Sequence, residues 1–66
     1  MLYENLSAKE MSDIELREAF NSVGFAVVKI KRWRDGQIDV QIPRNADLVA
    51  ATEIGNYYGV IVCRAI

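Results

Sequence analysis

The side chains that carry out chemistry in proteins are thinly spread in this chain. It has no histidine, which removes the commonest general base and the commonest metal ligand together. Its one cysteine, Cys63, has no second thiol for an internal disulfide and no companion ligands for a zinc site. The expected role of Cys63 is therefore a small buried hydrophobe in a reducing compartment. Ser7, Ser12 and Ser22 have no base to activate them and fall at predicted helix caps. Asp13, Glu15 and Glu18 fall on a stretch with helical spacing, where a solvated face is the expected role and no pocket is implied. There is no phosphate-cradling glycine loop and no metal-ligand spacing. What remains is a run of cations and aromatics: Lys29, Lys31, Trp33 and Arg34, followed by Gln37, Asp39 and Gln41. That is recognition chemistry. The residues predict a non-enzymatic binding protein with no cofactor and no metal.

The elements that must position these residues follow from spacing and caps. Ser7 with Glu10, and Ser12 with Glu15, each fit the capping box, in which serine accepts from the third amide of a helix and glutamate reaches back. After the second box, Leu16, Ala19, Phe20 and Val23 recur on one helical face, and Gly24 supplies the left-handed position that ends a helix. A helix over Met11–Val23 is predicted, with Met11 and Ile14 off its apolar face, either covering a corner of the core or forming a small patch for a partner.

Phe25–Arg34 reads as a strand, with Ala26, Val28 and Ile30 on one side and Lys29, Lys31 and Trp33 on the other. Gln37–Ile42 alternates, with Ile38, Val40 and Ile42 on the buried side. Asp35-Gly36 joins the two as a hairpin. A two-residue loop would set Lys31 opposite Val40 and put lysines on the core side, at several kcal/mol for each unpaired buried charge. A three-residue loop, Arg34-Asp35-Gly36, with Gly36 in the left-handed bulge position, instead aligns Ile30 with Val40, Val28 with Ile42, and Lys31 with Asp39. One residue of slip turns every side chain to the other face, so the hydrophobic pattern favours the three-residue loop, or a longer odd one.

Pro43 ends that strand. Asn45 is a good N-cap for a second helix carrying Leu48, Ala51, Ile54 and Tyr58, broken at Gly55-Asn56 and Gly59. The adjacent Tyr57-Tyr58 suits either core and helix-end packing or the rim of a binding surface. Gly59–Ile66 reads as a last apolar strand, and Leu2-Tyr3 as a short apolar start. The order is β-α-β-β-α-β. The fold predicted is α+β, a ferredoxin-like βαββαβ sandwich with a four-stranded antiparallel sheet and two helices on one face.

Charge and composition set the class. The chain has 66 residues, the length of a single domain, and 52% of them are apolar against 26% charged, which favours a folded chain over a disordered one. A domain this small hides only ~60% of the surface of its unfolded chain, so its core is thin. The net charge of −1 conceals a division. Residues 1–24 hold Glu4, Glu10, Asp13, Glu15 and Glu18 against Lys9 and Arg17, while residues 25–44 hold Lys29, Lys31, Arg32, Arg34 and Arg44 against Asp35 and Asp39. The basic segment suits either an anion-binding or acidic-partner surface, or a solvated strand that uses long cations to resist edge pairing. No apolar run approaches the ~18 residues that span a bilayer, and residues 1–15 lack the apolar segment of a secretion signal. A cytoplasmic chain without membrane contact is expected.

The pieces in this order resemble an RNA-recognition motif. Leu2-Tyr3-Glu4-Asn5-Leu6 is similar to the family's first-strand motif with one position missing. Asp13–Phe20 followed by Gly24 is similar to its first helix, and Asp35–Ile42 to its eight-residue third-strand motif. Ala46–Ala50 and the Gly59-Val60 entry are similar to its second helix and last strand. The resemblance implies single-stranded RNA or DNA binding on the open sheet face. Yet the third and fifth positions of the eight-residue motif, where the family stacks bases on aromatics, are Gln37 and Asp39. Each missing stack removes ~1–3 kcal/mol, Asp39 repels phosphate, and only Tyr3 matches a stacking aromatic. The leading expectation is accordingly an adaptor or inhibitor that binds a protein partner through its sheet face and hairpin end, with weak single-stranded RNA or DNA binding as the alternative and a homodimer as a further option. The residues expected at the site are Tyr3, Lys29, Lys31, Trp33, Arg34, Gln37 and Asp39.

Overall fold

The first helix begins where its caps place it. In the computed structural model, which describes residues 7–65, the Ser12 hydroxyl accepts from the Glu15 amide at 3.1 Å and Glu15 accepts from the Ser12 amide at 2.8 Å. Helix α1 runs over Asp13–Asn21, shorter at both ends than expected. The turn that terminates it closes at Gly24, which adopts the predicted left-handed conformation at φ +93°. The Phe25 amide donates to the Phe20 carbonyl at 3.0 Å and the Gly24 amide to that of Asn21 at 3.0 Å, the pair of bonds that makes a Schellman termination. The earlier box, Ser7 with Glu10, bounds a single 3-10 turn, Ala8–Glu10.

Strand β1 is Lys29–Arg32 and strand β2 is Ile38–Ile42. They pair antiparallel with Ile30 opposite Val40, Lys31 opposite Asp39 and Lys29 opposite Gln41, the register of the three-residue loop. Within that loop Gly36 has φ +95°, and the Trp33 amide donates to the Gln37 carbonyl at 2.8 Å while Gly36 donates back to Trp33 at 3.1 Å.

The strand predicted over Phe25–Arg34 is mostly not strand. The termination of α1 folds Phe25 back over that helix, and the Val28 amide donates to the Gln41 carbonyl at 2.7 Å, the carbonyl of the residue that β2 aligns with Lys29. The alternation shifts by one at this point. Phe25 and Val27 pack against the core, whereas Ala26 is exposed and Val28 is 51% exposed. Val28 therefore does not face Ile42 as expected.

Helix α2 is Leu48–Tyr58 and strand β3 is Ile61–Arg64. The cap of α2 is Asp47, whose carboxylate accepts from the Ala50 amide at 3.2 Å; Asn45, the expected cap, lies in the preceding turn. Gly55-Asn56 does not break the helix. It ends at Gly59, φ +80°. Gly55 is buried, and a Cβ there would lie 2.5 Å from Val62 Cγ2 and 3.1 Å from the Val60 carbonyl oxygen. Its role is to let α2 approach β3.

The sheet differs from expectation in kind. Among the described residues it has three strands in the order β1-β2-β3, and β2 pairs with β3 in parallel, Asp39 with Ile61, Val40 with Val62, Gln41 with Cys63. A ferredoxin-like sandwich separates the two strands of its second βαβ half by inserting the first strand of the chain between them. Here those strands bond directly and leave no such slot. The predicted four-stranded antiparallel sheet is thus replaced by a three-stranded mixed one. The short apolar start, Leu2-Tyr3, lies outside the described residues. Leu16 and Phe20 of α1, Ala51 of α2, Ile38, Val40 and Ile42 of β2, Val60 and Ala8 form one buried cluster. Both helices thereby cover the same face of β2, as predicted, and Phe20 meets Tyr58 with ring centroids 6.4 Å apart.

Candidate interaction face

The face of the sheet turned away from the helices follows from the register. Directly paired residues in neighbouring strands share a face, and side chains alternate along each strand. With Ile30, Val40 and Val62 facing the core, Lys29 and Lys31 of β1, Asp39 and Gln41 of β2, and Ile61 and Cys63 of β3 face outward. Trp33 and Gln37 continue this face where the hairpin closes. Lys29, Lys31, Arg34 and Gln37 are exposed, and Asp39 and Gln41 half-buried.

At the hairpin end four of these side chains form one connected unit. The Trp33 indole N–H donates to Asp39 Oδ2 at 2.9 Å, and the Gln37 side-chain amide donates to Asp39 Oδ1 at 3.0 Å. The Lys31 ammonium lies 4.1 Å from the centroid of the Trp33 ring, within the range of a cation–π contact. Register explains the arrangement: Trp33 lies just past the end of β1, two residues after Lys31, Asp39 stands opposite Lys31, and the tight loop brings Gln37 beside Trp33. The Asp35 carboxylate accepts from the Gln37 amide at 3.0 Å and fixes the turn from within. The indole remains 45% exposed, with its polar atom satisfied and one ring face taken by a cation. Arg34 occupies the loop beside it.

The hairpin is also held from the other side of the sheet. Arg32 donates to Asp13 Oδ1 at 2.9 Å and to the Met11 carbonyl at 2.8 Å, tying β1 to the start of α1. The Lys9 side chain passes close to Gly36. Both contacts are at the surface, where an ion pair contributes at most about 1 kcal/mol, so their role is to orient the hairpin.

Of the residues expected at the site, Lys31, Trp33, Gln37 and Asp39 come together, Lys29 and Arg34 flank them, and Tyr3 lies outside the described residues. The sequence reading missed Ile61, 51% exposed, and Cys63, which is half-buried on the open face and not core. The parity of the last strand carried that signal, since Val60 and Val62 inward place Ile61 and Cys63 outward. Elsewhere Met11 packs against the core and Ile14 is exposed. Tyr58 packs inward, with Tyr57 edge-on against it, ring centroids 5.0 Å apart.

No group of three or more histidine, cysteine or acidic side chains suited to a metal occurs among the described residues. No helix among them is long and apolar enough to cross a membrane. Comparison with protein-family models, curated proteins and solved structures returned no match.

Proposed function

We propose that this chain is a small non-enzymatic interaction protein that binds a protein partner through the hairpin end of its open sheet face. The observation that carries the reading is the Trp33 unit. A half-exposed indole whose N–H is already bonded to Asp39 and whose ring is braced by Lys31 loses little conformational freedom on binding. Tryptophan and arginine are the residue types most enriched where interfaces concentrate their affinity, and Arg34 adjoins. Two observations weigh against single-stranded nucleic acid. Asp39, at the centre of the unit, repels phosphate, and Lys31 covers a ring face that a base would stack upon. Lys29 and Lys31 then serve to steer an acidic partner. The reading places the protein in the cytoplasm, where a lone thiol stays reduced.

The test is retention of partners from lysate of the source cells on immobilised chain, with and without nuclease, for the native chain, Trp33→Ala and Ile14→Ser. A protein retained after nuclease treatment, lost with Trp33→Ala and kept with Ile14→Ser, is the expected result. Material that disappears with nuclease, together with binding of a single-stranded oligonucleotide that weakens steeply with salt, overturns the protein reading in favour of nucleic acid.

A further inference from the structure

The two outer edges of the sheet are built differently. The strand β1 edge carries Lys29, Lys31 and Arg32, the cations that natural edge strands use to prevent pairing. The β3 edge carries Val60, Ile61, Val62 and Cys63 before its first charge at Arg64, and no strand lies beyond it among the described residues. Its free backbone groups are identifiable. The Ala65 amide donates to the Ile42 carbonyl at 2.8 Å, so Ala65, Cys63 and Ile61 direct their backbone groups at β2. Alternate residues point the other way, and Val62 and Arg64 aim theirs outward. The Val60 amide is taken by the Gly55 carbonyl at 2.9 Å.

We infer that β3 pairs antiparallel with β3 of a second copy of this chain, centred on Cys63. In that register Val62 of one copy exchanges amide and carbonyl bonds with Arg64 of the other, and all the outward groups are used. Cys63 stands opposite Cys63, and Ile61 opposite Ala65, so the exposed Ile61 side chains join an apolar strip on the open face. Arg64 meets valine and not another arginine. The neighbouring registers are worse. Centring on Val62 sets Arg64 against Val60, whose amide is already bonded, and centring on Arg64 sets two guanidinium groups side by side. The product is one continuous six-stranded sheet with the cationic β1 edges outermost. It is independent of the Trp33 unit, which lies toward β1.

Sedimentation equilibrium over a range of protein concentrations tests this on the native chain and on two variants. Arg64→Pro removes an outward N–H that no bond among the described residues uses, a position where edge proline is tolerated. Cys63→Lys sets two ammonium groups directly opposite each other. Expected is a monomer–dimer equilibrium for the native chain, weakened at least about tenfold, or ~1.4 kcal/mol, in each variant, with circular dichroism unchanged, and no change in Trp33→Ala. A second readout uses geometry. Opposed residues in a non-hydrogen-bonded antiparallel pair have Cα atoms about 4.5 Å apart, within disulfide range. Oxidised glutathione, reduced in the exchange to two thiols, should therefore link Cys63 to Cys63 at a rate that follows the dimer fraction and falls in Arg64→Pro. A chain that stays monomeric throughout, or a dimer insensitive to both variants, overturns the inference.

Discussion

The Asp39 carboxylate holds the Trp33 indole nitrogen at 2.9 Å from the adjacent strand, so the largest side chain on the open face has its orientation set by a residue of opposite chemical character. The same carboxylate takes the Gln37 amide on its other oxygen. An aspartate at the centre of a cationic strand pair therefore acts as a bracket, and its loss should be felt first in the indole and only weakly in the fold.

Asp39→Ala is expected to leave the melting temperature close to native while making Trp33 emission more accessible to acrylamide. Trp33→Ala should weaken partner binding by at least ~2 kcal/mol with the fold intact. As the chain has one tryptophan, its fluorescence reports this site alone. Free native protein should emit toward the red and shift blue on binding. A blue, quencher-protected emission in the free protein would show an indole more enclosed than its 45% exposure implies.

Val40→Asp should unfold the domain. Val40 is fully buried in the central strand, between Ile30 and Val62. Leaving an uncompensated charge there costs about 3–5 kcal/mol, comparable with the ~3–5 kcal/mol that a core this small supplies. Loss of a cooperative thermal transition by circular dichroism is the expected result; a retained one contradicts the register.

Gly55→Ala should destabilise despite a helix-propensity gain of about 1 kcal/mol. The new methyl falls 2.5 Å from Val62 Cγ2, and overpacking of this kind costs typically ~1–3 kcal/mol. Pairing it with Val62→Ala removes the obstructing methyl. The double variant should lose less than the sum of the two single losses in urea titration. Strict additivity would mean that α2 and β3 do not meet through these atoms.

Much of this is legible in the sequence. The capping box at Ser12, the end of α1 at Gly24 and the hairpin register all follow from short-range chemistry, and in the register a single slip would have buried lysines. Strand order was not legible. The inward and outward alternation of Val60-Ile61-Val62 is the same whichever strand lies beside it, so a familiar βαββαβ order suggested a neighbour that β2 displaces. Val28 was misplaced because one shifted amide reverses parity, which no side-chain pattern reports. Asn45 and Asp47 are both good caps two residues apart, and only the turn after Pro43 selects the second. Gly55 reads as a helix breaker by propensity. Its place among Ile54, Ala51 and Tyr58, inside an unbroken helical pattern, was the sign of close approach. Within the site, the alternation placed Lys31, Trp33, Gln37 and Asp39 on one face, but their mutual bonds depend on rotamers that alternation does not specify.

Ser12→Ala should cost ~0.5–2 kcal/mol by exposing the Glu15 amide that the serine now satisfies. Ser22→Ala, which removes only a hydroxyl bond to the Ala19 carbonyl at the far end, should cost less. Urea midpoints with unchanged slopes measure both.

The direct union of β2 with β3 also orders events in time. The hairpin closes across three residues, Arg34–Gly36, whereas the β2–β3 ladder must wait for all of α2 to be in place, a longer excursion of the chain with a larger entropy of closure. Until then β2 has one side bonded to β1 and the other bare. In that interval Ile38, Val40 and Ile42 have neither α2 above them nor β3 beside them. A folding chain caught before α2 and β3 dock is accordingly the species most exposed to capture by chaperones or by another β2.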